Sequence, residues 1–395
     1  MVFWGVDMVS RIQQLLLGAA LLAFSVGPAL ADTSPAPSSD PMVAYRAYDR
    51  AVAEGKLAEA AVHAQTAWKN AEAAWGPKNA NTAGLAFNAA WSLALIGKAP
   101  EGLDAAKRAV ELADVGAKAY QASEAQFLLA NAEFEAAPTN QIPKKAQAVD
   151  LAAKAVEGSW GDMLVADALL RTSIHYSVSG KSGLGAKLAE RSAAEVQRLN
   201  PKDVDRQAMI ELARAVSKLS DPDKLMGAYE DIIRARVTYG QMRQPDDPSW
   251  GALSAWHMVV HGLIKAVGPS RGGTGSNIRF GRVEPRDMTE EELAKVMTSK
   301  PECADFPWLK RKRVGRDIQP MRVGYFSVNL GGVNVQTDLT PDGRVTNPRV
   351  IGAVPDSSYA EAALKGISTW QYEIPANLPA ICRKDYEITV VFTMY

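Results

Sequence analysis

Along the first two thirds of the chain, apolar side chains return every three or four residues. From Leu103 they fall at Ala106, Val110 and Ala113, while Asp104 with Arg108 and Lys107 with Glu111 form i,i+4 pairs on the other side. That is the stripe of a half-buried amphipathic helix. The stretches 118–137, 144–157, 160–178, 184–199 and 203–219 continue in the same manner, so residues 42–267 are expected to hold ten or eleven helices. Gly55-Lys56, Gly97-Lys98 and Gly180-Lys181 recur at spacings of 42 and 83 residues, close to one period and then two. Each falls where a helix should end, because glycine takes the left-handed conformation after a helix cheaply. A period of this size predicts a solenoid of antiparallel helix pairs, each burying its apolar face against its neighbours.

From Met321 the period changes from 3.6 to 2. Val333, Val335, Thr337 and Leu339 alternate with Asn334, Gln336 and Asp338, the pattern of a half-buried strand. Thr340-Pro341-Asp342-Gly343 supplies a preset first dihedral and a residue tolerant of positive φ, so a turn is expected there. Residues 344–351 return as a second strand, and Pro348, which cannot donate to a ladder, places it at an edge or on a bulge. Asp356 or Ser357 can cap a helix that carries Ala360, Ala363, Leu364 and Ile367 on one side. Trp370, Tyr372 and Ile374 follow at period two, and Ile388, Val390, Phe392 and Met394 alternate with Glu387, Thr389, Val391 and Thr393 in a last strand. The expected architecture is a helical solenoid followed by a small α+β domain, one helix on an antiparallel sheet.

Between the two lies a glycine-rich stretch, residues 268–281. It lacks the Lys-Ser/Thr and the preceding strand of a phosphate loop, and is read as a boundary. A short helix is expected from Thr289 to about Met297. Lys310 to Arg313, a basic run beside Trp308, reads as a solvated face, with contact to lipid headgroups or a partner as the alternative.

The opening 31 residues change the picture of where the chain works. Arg11, an apolar run of 16 residues from Leu15 to Leu30, and Ala29-Leu30-Ala31 before Asp32 make a basic region, an apolar region and a small-x-small cleavage site. A spanning helix needs roughly 20 apolar residues, so a cleaved secretory signal is expected and a retained anchor is the alternative. The division is then signal peptide 1–31, flexible lead-in 32–41, helical repeats 42–267, linker 268–320 and α+β domain 321–395. The expected location is the periplasm, or the inner membrane facing it if the segment is retained. Lys+Arg and Asp+Glu tie at 44 each, which gives no charge excess for nucleic acid or an anionic membrane. Two cysteines and four histidines leave little material for Cys/His metal frameworks.

Gly76, Pro77, Thr82, Ala83, Asn88, Ala90 and Gly97 fall in the register of the 42-residue tetratricopeptide repeats, and this stretch resembles those of kinesin light chains. The resemblance implies a protein-binding concave face without chemistry. The run Val333 to Leu339, the turn Pro341-Asp342-Gly343-Arg344-Val345, Ala360 to Leu364, the pair Trp370 and Tyr372, and the strand Ile388 to Phe392 together resemble the TonB C-terminal domain family, over about 75 of 395 residues. That resemblance implies contact with TonB-dependent outer-membrane receptors by strand addition to a sheet edge. Two functions stay open: a periplasmic adaptor whose repeats hold a second envelope protein, and a membrane-anchored energy transducer for outer-membrane uptake. An anchored transducer of that family has a retained anchor and a proline-rich spacer, and this chain has the helical array in the spacer's place.

No nucleophile motif, paired carboxylates or cofactor loop stands out, so no enzymatic activity, cofactor or metal is expected. His257 and His261 share a helical face as in H-E-x-x-H proteases, but Met258 occupies the place of the general base. A bare two-histidine metal site lacks a visible third ligand, and partly exposed structural histidines are the preferred reading; His63 and His175 read as ordinary helix residues. Export to an oxidising compartment predicts a Cys303–Cys382 disulfide. Closing a loop of roughly 80 residues contributes about 4 kcal/mol in the entropic account. The candidate partner-binding edge is the last strand, through Glu387, Thr389, Val391 and Thr393. Phe392 is expected to be a core residue of the sheet.

Overall fold

The computed structural model describes residues 39–116, 119–138, 141–240, 248–267, 303, 306, 309–313, 330–354 and 359–393. The signal segment, the glycine-rich stretch, the helix expected from Thr289, and Trp308, Asp356, Ser357 and Met394 lie outside them. Among the described residues are thirteen α-helices and a small antiparallel sheet. The helices are α1 (Pro41–Ala53), α2 (Leu57–Trp75), α3 (Ala80–Leu95), α4 (Leu103–Glu111), α5 (Ala113–Gly116), α6 (Ala122–Glu135), α7 (Ile142–Lys154), α8 (Leu164–Val178), α9 (Ser182–Leu199), α10 (Val204–Lys218), α11 (Leu225–Gly240), α12 (Pro248–Val267) and α13 (Ala360–Ile367). The strands are β1 (Arg311–Arg313), β2 (Leu330–Leu339), β3 (Val345–Val354), β4 (Gln371–Tyr372) and β5 (Tyr386–Thr393).

Helices α1, α3, α6, α8 and α10 begin at residues 41, 80, 122, 164 and 204, in steps of 39, 42, 42 and 40. The three Gly-Lys sites close helices in one way. Gly55, Gly97 and Gly180 have φ of 73°, 72° and 79°. In each, the lysine N–H reaches back five residues, from Lys56 to the Ala51 carbonyl, Lys98 to Leu93 and Lys181 to Tyr176, all at 2.8 Å. The glycine N–H reaches back three, to Val52, Ala94 and Ser177. These paired bonds satisfy the carbonyls that a helix end leaves open.

The chain divides into two compact units, residues Met1–Thr172 with Glu190–Asp203, and Ser173–Ala189 with Val204–Tyr395. In the first unit the interior is largely alanine: Ala64, Ala67, Ala71, Ala86, Ala89, Ala109, Ala125 and Ala146 are at most 1% exposed. So small a side chain at contact positions lets helices approach closely. Larger groups fill what remains. The Phe87 ring stacks on Tyr120 at 4.6 Å, and Phe127 meets Trp160 edge-on at 5.5 Å.

The second unit holds the sheet, in the order β3-β2-β5, all antiparallel. The turn at 340–343 forms as its residue types dictate: Gly343 has φ 85° and its N–H donates to the Thr340 carbonyl at 2.8 Å. Both consequences of Pro348 are realised, since among the described residues β3 is an edge, and its register with β2 shifts twice, beside an Asn347 at φ 51°. Val333, Val335, Ile388, Val390 and Phe392 share one face, packed with Tyr359, Ala363 and Ile367 around α13. Strands β1 and β4 pair separately.

The other face of the sheet is covered by α12. A Cβ on Gly332 would lie 2.9 Å from the Ala255 carbonyl oxygen and from Val259 Cγ2, and Gly251 and Gly352 meet so closely that a Cβ on either would overlap the other's backbone. Trp250, Leu253, Ala255, Trp256, Val259 and Val260 of α12 form one core with α10, α11 and Val354 of β3. The polar positions Asn334 and Gln336, which the alternation directs away from α13, are consequently only 1% and 5% exposed.

Candidate partner-binding edge

Alternating β-branched residues make Tyr386–Thr393 a strand, since such side chains pack well on a pleated surface. It pairs with β2 in continuous register, Gln336 opposite Glu387, Asn334 opposite Thr389, Gly332 opposite Val391 and Leu330 opposite Thr393. Its other side is paired with no strand among the described residues. An edge of this kind presents backbone N–H and C=O groups that a further strand can use.

The structure places three of the expected residues on the α12 side of the sheet. The Thr389 hydroxyl accepts a bond from the Asn334 side-chain amide at 3.3 Å, and a Glu387 carboxylate oxygen accepts from the Trp250 indole N–H at 3.3 Å. Val391 lies beneath Gly262, where an added Cβ would sit 3.5 Å from its Cγ1. All three are half-buried. Ile388, Val390 and Phe392 are buried on the opposite face, and the Phe392 ring lies 4.9 Å from Tyr359. Phe392 is therefore a core residue. What β5 offers a partner is mainly its backbone.

Cys303 and Cys382 are joined in a disulfide and both are buried. The bond fixes the segment that leads into β1 beside the start of β5. Further fastenings follow along it. The Leu309 N–H donates to the Tyr386 hydroxyl at 3.0 Å, the Glu373 N–H donates to the Lys310 carbonyl at 2.8 Å, and β1 pairs with β4. Burial pushes the Tyr386 hydroxyl up from its ordinary pKa, and the Leu309 bond opposes that rise. Within the basic run, Lys310 pairs with Glu373 at 3.2 Å and the Arg311 guanidinium lies 4.3 Å over the Trp370 ring, while Lys310, Arg311 and Lys312 stay exposed.

His257 is buried on α12 with its Nδ1 2.6 Å from an Arg236 guanidinium nitrogen. That nitrogen is thus engaged by a cation, which is incompatible with holding a metal through it. Among the described residues no group of three His, Cys, Asp or Glu is placed to bind a metal, and none of the helices is long and apolar enough to cross a membrane. Trp250, Arg236 and the glycines Gly251, Gly332 and Gly352 were not singled out by the alternation argument. Glycines inside strands were the available signal, since they mark close approach of another backbone.

No protein-family model matches the chain, and no solved structure matches it. One curated relative does: Protein TonB of Yersinia enterocolitica, 37% identical over 62 residues, which is 16% of this chain and 22% of that protein. The matched stretch thus spans about a fifth of the relative's length, and with the sheet and helix described above it makes the C-terminal region of this chain TonB-like.

Proposed function

We propose that this protein is a non-catalytic adaptor of the cell envelope, acting in the periplasm, whose C-terminal region takes up an extended segment of an outer-membrane transport protein by adding it as a strand to β5. The observation that carries the reading is an edge strand on a TonB-like sheet. Main-chain hydrogen bonds would supply affinity and alternating side chains the selectivity. The evenly stepped helix pairs, read as tetratricopeptide-like repeats, would hold a second envelope protein.

A proline at Thr389 or Val391 tests the strand reading, because proline removes a ladder donor and restricts the backbone. Each variant should keep its helical circular dichroism and lose most of its capture of extended peptides from envelope transporters. Folded variants that capture peptide as well as the native chain would sink strand addition. Mass spectrometry of the mature N-terminus separates the adaptor from the anchored transducer: a start near Asp32 supports the first, and a retained Arg11 supports the second.

A further inference from the structure

Two ionisable side chains that no spacing or periodicity pairs meet inside the second unit. Arg236 of α11 and His257 of α12 are 4% and 2% exposed, with 2.6 Å between a guanidinium nitrogen and Nδ1. A guanidinium keeps its proton and has only donors. Nδ1 must therefore accept, and the imidazole is neutral with its hydrogen on Nε2. The same guanidinium lies 4.6 Å over the Trp250 ring, and the Trp250 N–H donates to Glu387 at the start of β5. The contacts run without a gap from His257 through Arg236 and Trp250 to the edge strand.

We propose that this series of contacts is a proton-sensitive latch on β5, in which protonation of His257 expels Arg236, unseats Trp250 and frees the strand at Glu387. Protonation turns Nδ1 from acceptor to donor and sets two cations against each other, so the latched arrangement and the imidazolium exclude one another. The latch rests on the strand-addition reading for its purpose, since it would regulate that same edge, but its operation is independent of any partner.

The groups facing His257 are Arg236 and the Tyr229 ring from α11, the ring at 5.3 Å, and His261 on its own helix. Burial first, then Arg236, then His261 hold its pKa well below the usual imidazole range. Once opened, the ring returns to about 6.5. Above that pH neither state binds the proton and the latch is indifferent to pH. Below it the open state binds one proton more, so its population rises about tenfold per pH unit until the latched pKa is reached.

Hydrogen exchange of the full oxidised chain between pH 7.5 and 5, corrected for intrinsic rates, reads this directly. Opening of β5 and of the α11–α12 pair should rise about tenfold per unit below pH 6.5. H257Q should flatten both responses. W250F keeps the ring under Arg236 but removes the N–H, and should flatten the response of β5 alone. His175, a half-buried imidazole of this unit, has a pKa lowered to about 4 by burial and Lys181, so H175N serves as the control and should leave the β5 response intact. A native β5 whose opening ignores pH overturns the latch, and so does a slope that survives W250F; these two readings stand even if H257Q fails to fold. Peptide capture is scored separately, so failure of strand addition leaves the exchange result interpretable.

Discussion

Gly251 and Gly352 have a function that only their lack of a side chain permits. Each stands where the other's backbone would meet a Cβ, so helix and strand touch main chain to main chain. Replacing Gly352 by Val should destabilise the second unit by about 1–3 kcal/mol, the usual cost of forcing volume into a packed contact. Gly183, with nothing within 4 Å of its added Cβ and in a helix, is the reference: Gly183→Ala should be neutral or gain about 0.5–1 kcal/mol. Denaturant midpoints of the two variants that moved together would show that α12 does not rest on β3. Among single residues, Cys303 and Cys382 were legible because they are the only two cysteines and the expected export would favour pairing them. Arg236 was not legible, since an arginine in an amphipathic helix reads as surface until a second helix is laid over it.

At the level of elements, local rules carried most of the way. Thr340 to Gly343 turns because proline, aspartate and glycine stand in the order a turn requires, and β2, β3 and β5 follow the two-residue alternation. The helix ends at Gly55, Gly97 and Gly180 were readable for the same reason. Gly97 offers a clean measurement, because an added Cβ there meets nothing within 4 Å while its φ is 72°. Gly97→Ala should cost about 1–2 kcal/mol through the backbone alone, seen as a lower thermal midpoint with unchanged helix content. Alternation failed on one matter. It labels Asn334 and Gln336 as solvent-facing, and a strand carries no record of whether a distant helix will cover that face. Helix α12 does, and it reaches β2, β3 and β5 through glycine and alanine positions that hydrophobic patterning counts as weak.

For the molecule as a whole, the sequence boundary near residue 268 and the compact units follow different logics. Composition changes at the glycine-rich stretch, whereas compactness groups Val204–Tyr395 with Ser173–Ala189. A fragment of residues 303–395 keeps the disulfide and α13 but leaves the α12 side of the sheet bare. It should show poor amide dispersion or self-association, while residues 173–395 should give a dispersed, monomeric spectrum. Equal behaviour of the two would mean that α12 is dispensable to the sheet. Reducing the disulfide, or replacing both cysteines by serine, should lower the stability of the longer fragment by at most about 4 kcal/mol in a denaturant titration, with native strain reducing the loss.

The disulfide also sets a mechanical route. The chain leaving α12 reaches Cys303, and the sulfur bond passes directly to Cys382, four residues before Tyr386 opens β5. A pull exerted on the helices and resisted by a strand bound along β5 would cross that bond. The 78 residues inside the loop, among them β2, β3 and α13, would be spared the tension along their backbone. In the reduced protein the same pull would travel along the backbone of all of them.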